Sequence, residues 1–484
     1  MPYQSPTNTA HACARSRFAT ALLAAATCVA AAFTAVAQEQ QQQTESEPGV
    51  TMTAQRVEID YPTEPVQQTV QRTVLKNQTI LVTQEIPSQR FVSMLVVLKT
   101  GENHDPRREV GLTRMLVRLA DTCATESEPA VSYDEFDRRF PAGWGMQPHP
   151  DHTVLGITVP SEQAETRFPA YIDRLRTLKI TQPDIDRVCA DLAAEVKSRF
   201  EDKPLIVPSS WLVGKTFRHS SGDARGCNPD WLKRMSPAEV TQAWQSRLHP
   251  SNIMVVVCGA AVEPDVISSV TVSLEQIGGN NWPEPPTREY VKPVGAVKRD
   301  VVVEHLPGNK DHLTVAYYAP PVTDDDHPAF LAIAKNYVRR ASKYPEAQGR
   351  LAFQYDLLVD PRAAYLTPHA IGFPEGPQQA FDLWTKRFEN PEGQSTYSRY
   401  AFSTISYQLG YDFSPDFIKA MRGRPDVLYT VAYAAAFREL HGDESFWAQY
   451  RDRLMSLKKK DIEDAKTKYF LDNENRAVFV LKAK

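Results

Sequence analysis

SPAEVTQAWQSRL (236–248) runs through HPSN into the β-branched stretch IMVVVCG (253–259). At an offset of 222 residues the same order returns: KKKDIEDAKTKYF (458–470), LDNENR, then AVFVLKA (477–483). Val240 aligns with Ile462, Ala243 with Ala465 and Leu248 with Phe470. Each copy reads as a helix that opens near a polar cap, then a turn, then a strand. Outward from these copies the agreement continues. FVSMLVVLK (91–99) and LTVAYYAPP (313–321) are strands at the same offset. Each precedes a helix with one apolar face, carried by Leu112, Met115, Leu116 and Leu119 in the first case and by Phe330, Ile333 and Tyr337 in the second. A repeat this long is a duplicated domain rather than a solenoid unit.

Within the first half the order is strand (TILVTQ), strand (FVSMLVVLK), helix (110–120) and strand (TVLGITVP). A helix with Phe168, Ile172 and Leu175, a long helix over about 183–201, and the closing helix and strand follow. Strands and helices do not alternate one for one. The pattern predicts an α+β chain of two homologous domains, each a mainly antiparallel sheet with helices packed on one face. The expected domains span 66–280 and 297–484, joined by the Pro-rich linker NWPEPPTREYVKPVGA (281–296).

Residues 1–37 read as a signal peptide. Arg15 and Arg17 flank an apolar stretch from Phe18 to Val36, and Ala35-Val36-Ala37 is a small-x-small cleavage pattern. Cys28 follows a poor lipoprotein box. Residues 38–65, beginning QEQQQQTESEPGV, form a polar tether expected to be disordered. The expected destination is the periplasm, with no integral membrane span once the signal is removed. Cys123, Cys189, Cys227 and Cys258 then remain, and their pairing is open on sequence alone. The net charge of −4 shows no basic excess of the kind nucleic-acid binders carry, so no nucleic-acid partner is expected. Hydrophobic residues at 42% and charged residues at 24% exclude a largely disordered chain and a polytopic membrane protein.

Several landmarks stand in a telling order. TVLKNQTILV is followed by GLTRMLVRL (111–119), AGWGMQPHPDHTVL (142–155), DRVCADLAAEV (186–196), HPSNIMVVVCG (249–259) and GRLAFQYDLLVDPRAAY (349–365). In this the sequence resembles the pitrilysin/insulinase family, which includes the mitochondrial processing peptidases. The resemblance covers about Thr69 to the C-terminus. It implies zinc peptidases with an inverted HxxEH motif on one helix and a last Glu ligand on another.

On that resemblance the chemistry has been removed. The two histidines of HxxEH correspond to Arg114 and Arg118, and the Glu base to Val117. A guanidinium has no lone pair for a metal, and valine takes no proton from water. Gly145 stands where the family has a substrate-holding Asn, and Val188 replaces an acidic residue. Asp151 and Thr153 keep the family's substrate segment, and Glu195 keeps the last ligand position. No catalytic residue and no metal ligand is therefore assigned, and the zinc site is expected to be lost. His149 and His152 form an HxxH in a loop, away from the ligand helices.

Arg114 and Arg118 lie four residues apart, where like charges disfavour a helix, which calls for a carboxylate counterion. An ion pair of Glu195 with Arg114, Arg118 or both is expected in place of zinc. The functional expectation is a secreted, inactive homologue of zinc peptidases that pairs with an active sister peptidase or with a second copy of itself, and that holds peptide segments. The alternatives are a metalloendopeptidase with a displaced metal site and a stand-alone, chaperone-like peptide binder.

Overall fold

The structure, a computed structural model, describes residues 70–86, 90–106, 108–139, 147–149, 151–202, 227–259, 264–278, 282–286, 302–306, 312–320, 323–341, 352–358, 364–371, 425–441, 444–471 and 476–483. The expected signal and tether, Gly145 and most of the linker lie outside these residues.

The first half contains β1 (Val70–Val74), β2 (Ile80–Glu85), β3 (Phe91–Leu98), α1 (Leu112–Thr122), α2 (Tyr133–Arg139), β4 (Gln147–Pro148), β5 (Thr153–Pro160), α3 (Ser161–Arg176), α4 (Gln182–Asp202), α5 (Pro237–Arg247), β6 (Ile253–Gly259) and α6 (Pro264–Glu275). Its six strands lie in the order β1-β2-β6-β3-β5-β4. All neighbours are antiparallel except β2 and β6. The second half contains β7 (Val302–Leu306), β8 (His312–Ala319), α7 (His327–Ala341), β9 (Ala352–Leu358), β10 (Ala364–Ile371), α8 (Pro425–His441), α9 (Glu444–Met455), α10 (Lys459–Lys466) and β11 (Arg476–Ala483). Its strands lie in the order β7-β11-β8-β10-β9, again with one parallel pair, β7 and β11. Apart from β1, the second sheet repeats the first strand for strand, including the parallel pair in the same place.

The two copies at the 222-residue offset form α5–β6 and α10–β11. Ser236 and Glu239 make a reciprocal cap on α5: the Ser236 backbone N–H donates to Glu239 Oε2 at 2.7 Å, and the Glu239 N–H to Ser236 Oγ at 3.3 Å. On α10 only half of this remains, the Lys458 N–H donating to Asp461 Oδ2 at 2.8 Å. Val240, Leu248, Ile462 and Phe470 are all buried. Phe470 stacks on Phe330 of α7, with ring centroids 5.0 Å apart, and touches Tyr317 of β8.

Alternation along the central strands divides two cores. Met94, Val96, Leu98, Val255 and Val257 face the helices of the first half, where they meet Leu116, Phe168, Ile172 and Leu192. Leu95, Val97, Val154, Met254 and Val256 point the other way and are just as buried. They meet Leu428, Tyr429, Ala432 and Ala435 of α8, a helix from the second half. The first sheet's own helices cover one face, and the second half covers the other. That is why β3 and β6 read as continuous apolar runs rather than as alternating ones. β1 is exposed along most of its length and lies at the end of the sheet.

Candidate functional site

Helix α1 carries the positions that the resemblance aligns with HxxEH, and its start is tightly built. Gly111 precedes it at φ +92°, and a Cβ there would lie 2.4 Å from Cys227 Sγ. Both the left-handed backbone and the close approach require glycine. The free N–H groups at the helix start are taken by a residue outside the helix. Asp105 accepts from the Gly111 and Thr113 backbone N–H groups at 3.1 and 3.0 Å, and from the Thr113 hydroxyl. Arg247, at the end of α5, donates to the same carboxylate at 2.8 Å. Only 1% of the Asp105 side chain and 3% of the Arg247 side chain are exposed. Burial pushes the Asp105 carboxyl up to about 6, against the opposing pull of Arg247 and Thr113.

From this fixed start α1 presents Arg114, Val117 and Arg118. Val117 is buried in the main core, 4% exposed, among the apolar residues of α1 and its neighbours. Arg118 pairs with Glu195 of α4 through Nη2 and Oε2, with 28% and 27% of the two side chains exposed. Arg114 pairs instead with Glu102, in the short helical turn Glu102–His104 that follows β3. Burial works against the Arg114 charge, but the Glu102 and Glu195 carboxylates outweigh it and raise the group above its ordinary value. Two arginines one turn apart thus hold two carboxylates, Glu102 and Glu195.

A zinc ion does not fit this donor set. Arg114 and Arg118 offer no lone pair, Val117 offers no base, and the Glu195 carboxylate is engaged by a guanidinium. Among the described residues no group of three or more His, Cys, Asp or Glu is placed to hold a metal. Val188 is buried beneath the site with Ile185 and Leu192, which packs that position into the core.

Of the positions that the resemblance assigns to the substrate segment, Asp151 lies in the loop between β4 and β5 and Thr153 at the start of β5, while Gly145 lies outside the described residues. Thr153 is buried, its hydroxyl donating to the Thr100 carbonyl at 2.8 Å. Asp151 contacts His152, and the His149 and His152 rings stack at 4.4 Å. His152 also reaches the Tyr433 hydroxyl on α8. Among the described residues Cys123, Cys189, Cys227 and Cys258 are buried free thiols. Burial raises all four, Cys189 to about 11 and Cys123 and Cys227 to about 12, so they are protonated and unreactive at neutral pH.

Sequence reasoning named Arg114, Arg118 and Glu195 but missed Glu102, Asp105, Arg247 and Tyr433. Asp105 left no cap signal, standing seven residues before the first residue of the helix. Tyr433 had none, since its partner lies 281 residues away.

Residues 234–336, from just before α5 into α7, match the family model described as Peptidase M16 inactive domain. No curated protein matches the chain by sequence. Among solved structures the chain is similar to a protease from Helicobacter pylori, with 17% identity and a TM-score of 0.70, over 86% of this chain and 99% of that one. It is similar to the periplasmic protease PqqL from Escherichia coli, with 14% identity and a TM-score of 0.66, covering 93% of this chain but 50% of PqqL. It is also similar to a peptidase M16 inactive domain from Pseudomonas fluorescens, with 12% identity and a TM-score of 0.67, over 86% of this chain and 98% of that one. The chain has the M16 peptidase fold of two homologous α+β domains, and the pitrilysin-like resemblance carried by its motifs stands.

Proposed function

We propose that this protein is a catalytically silent homologue of zinc peptidases, a non-catalytic subunit of the cell envelope that pairs with an active sister peptidase and offers it a peptide-holding surface. The observation that carries this reading is the Arg118–Glu195 pair. The family's surviving metal ligand is engaged by a cation standing at a lost ligand position, so the site is charge-balanced without a metal. The match of residues 234–336 to the model described as Peptidase M16 inactive domain supports the peptidase-like fold on which this reading rests. The signal-like N-terminus and the similarity to a protease described as periplasmic support the location. Among the described residues no helix is long and apolar enough to cross a membrane.

The test is elemental analysis and a peptide-cleavage assay on the purified mature chain, alone and mixed with M16-type chains from the same source. Expected results are no stoichiometric zinc, no cleavage by the chain alone, and co-purification with an active chain. One tightly held zinc per chain together with cleavage would establish the enzyme reading with a displaced metal instead. A chain that binds peptides with no partner and no cleavage would establish the stand-alone binder.

A further inference from the structure

Polar contacts connect the second half of the chain to α1. They begin at Tyr433 on α8, whose hydroxyl is 3.1 Å from His152 Nε2. His152 is buried, and its Nδ1 is 2.7 Å from Asp151 Oδ1. In the neutral tautomer whose Nδ1–H donates to an ionised Asp151, Nε2 is left to accept from the Tyr433 hydroxyl. Burial raises the Tyr433 hydroxyl well above its ordinary value, which keeps that proton in place. His149 stacks on both rings, 4.4 Å from His152 and 5.5 Å from Tyr433.

The loop that carries these residues is fixed to the turn holding Glu102. The His149 N–H donates to the His152 carbonyl at 2.8 Å, and the Glu102 N–H donates to the His149 carbonyl at 2.9 Å. Gly101 lies so close that a Cβ would stand 2.2 Å from the His149 carbonyl oxygen and 2.5 Å from the His152 nitrogen. The side chain of Glu102 then reaches Arg114 on α1. Every link from α8 to α1 is thus a named hydrogen bond, ion pair or backbone contact.

We infer that Tyr433, His152 and His149 form a clasp by which the second half of the chain sets the position of Glu102, and through it the Arg114 side of α1. The clasp is a conformational device: loosening the contact between the halves loosens the vestigial site. It does not depend on whether the chain is catalytically silent, because no link involves a metal or a substrate.

A double-mutant cycle on the full chain tests it, since spatial intermediacy alone does not establish coupling. Tyr433→Phe removes one hydroxyl and keeps the ring, and Glu102→Gln removes one charge and keeps the shape. The readout is native-state amide exchange of residues 112–118. Each single variant is expected to speed exchange there about threefold or more, with the double variant at least threefold slower than the product of the two effects. Should Tyr433→Phe fold poorly, His152→Phe, which keeps an aromatic ring beside His149, is expected to give the same pattern with Glu102→Gln. Effects that multiply within a factor of two, or α1 exchange indifferent to Tyr433→Phe and to His152→Phe, would overturn the clasp and leave Tyr433 as local packing.

Discussion

Arg118 and Asp105 each belong to an ion pair attached to α1, and their surroundings make them unequal. The Arg118–Glu195 pair is more than a quarter exposed on both sides. Solvent screens it, and such pairs are worth ~0–1 kcal/mol. Glu195→Ala is therefore expected to lower stability by at most about 1 kcal/mol in urea unfolding, within that range for exposed pairs. The Asp105–Arg247 pair is almost fully buried. Asp105→Ala strands a buried guanidinium and uncaps α1, and is expected to cost ~3–5 kcal/mol by the same measurement. The pH dependence has a definite sign. The folded Asp105 carboxyl lies near 6 against an ordinary value of 3.8, so between those values the folded state holds the proton more tightly. Its contribution is full below about pH 4 and is lost as pH rises through about 6. Asp105→Asn lacks this contribution, so the stability of wild type relative to that variant should decline across this window and flatten above it. Sequence reasoning reached Arg118 and Glu195 because a family pattern marked their positions. It passed over Asp105 because a cap placed seven residues before the helix leaves no periodic trace.

At the scale of the helix, the alignment of α1 with a metal-binding helix can be put to the test directly. Arg114→His, Val117→Glu and Arg118→His together rebuild HxxEH opposite Glu195. Position 117 lies in the core, so the new carboxylate is buried and the triple variant should be less stable than wild type without metal. Zinc held by two imidazoles and Glu195 should restore part of that loss, read as a rise in thermal midpoint on zinc addition that wild type does not show. A midpoint indifferent to zinc would mean that α1 and α4 do not face each other as the family's ligand helices do. The elements themselves were largely legible. The strands β3, β8, β6 and β11 and the helices beside them fall where the 222-residue repeat put them. Between these anchors the copies drift: Ala364 at the start of β10 follows Thr153 at the start of β5 by fewer residues than that offset. A fixed offset therefore finds the first and last strands of a half and loses the middle. Helix α8 escaped for another reason. Its apolar residues cover a sheet from the other half, and nothing local in 425–441 identifies that partner.

Across the whole molecule, two sheets repeat one strand order, and among the described residues the first ends on β1. β1 carries VQRTV with four of its five residues exposed, including Val74 at 55%. An uncovered margin of backbone donors and acceptors is a template for a second molecule. Arg72 stands at its centre and pairs with Glu439 of α8 at 3.0 Å. Were two molecules to join antiparallel about that residue, two guanidinium groups would meet face to face, and like charges opposed across strands are unfavourable. By that repulsion Arg72 disfavours an antiparallel β1–β1 pairing, an isologous contact that would close a dimer. Arg72→Val leaves VQVTV on the rim, a short β-prone segment without charge or proline. Sedimentation of the concentrated variant should show more self-association than wild type, and equal behaviour of both would show that the tip of β1 is guarded by something other than Arg72.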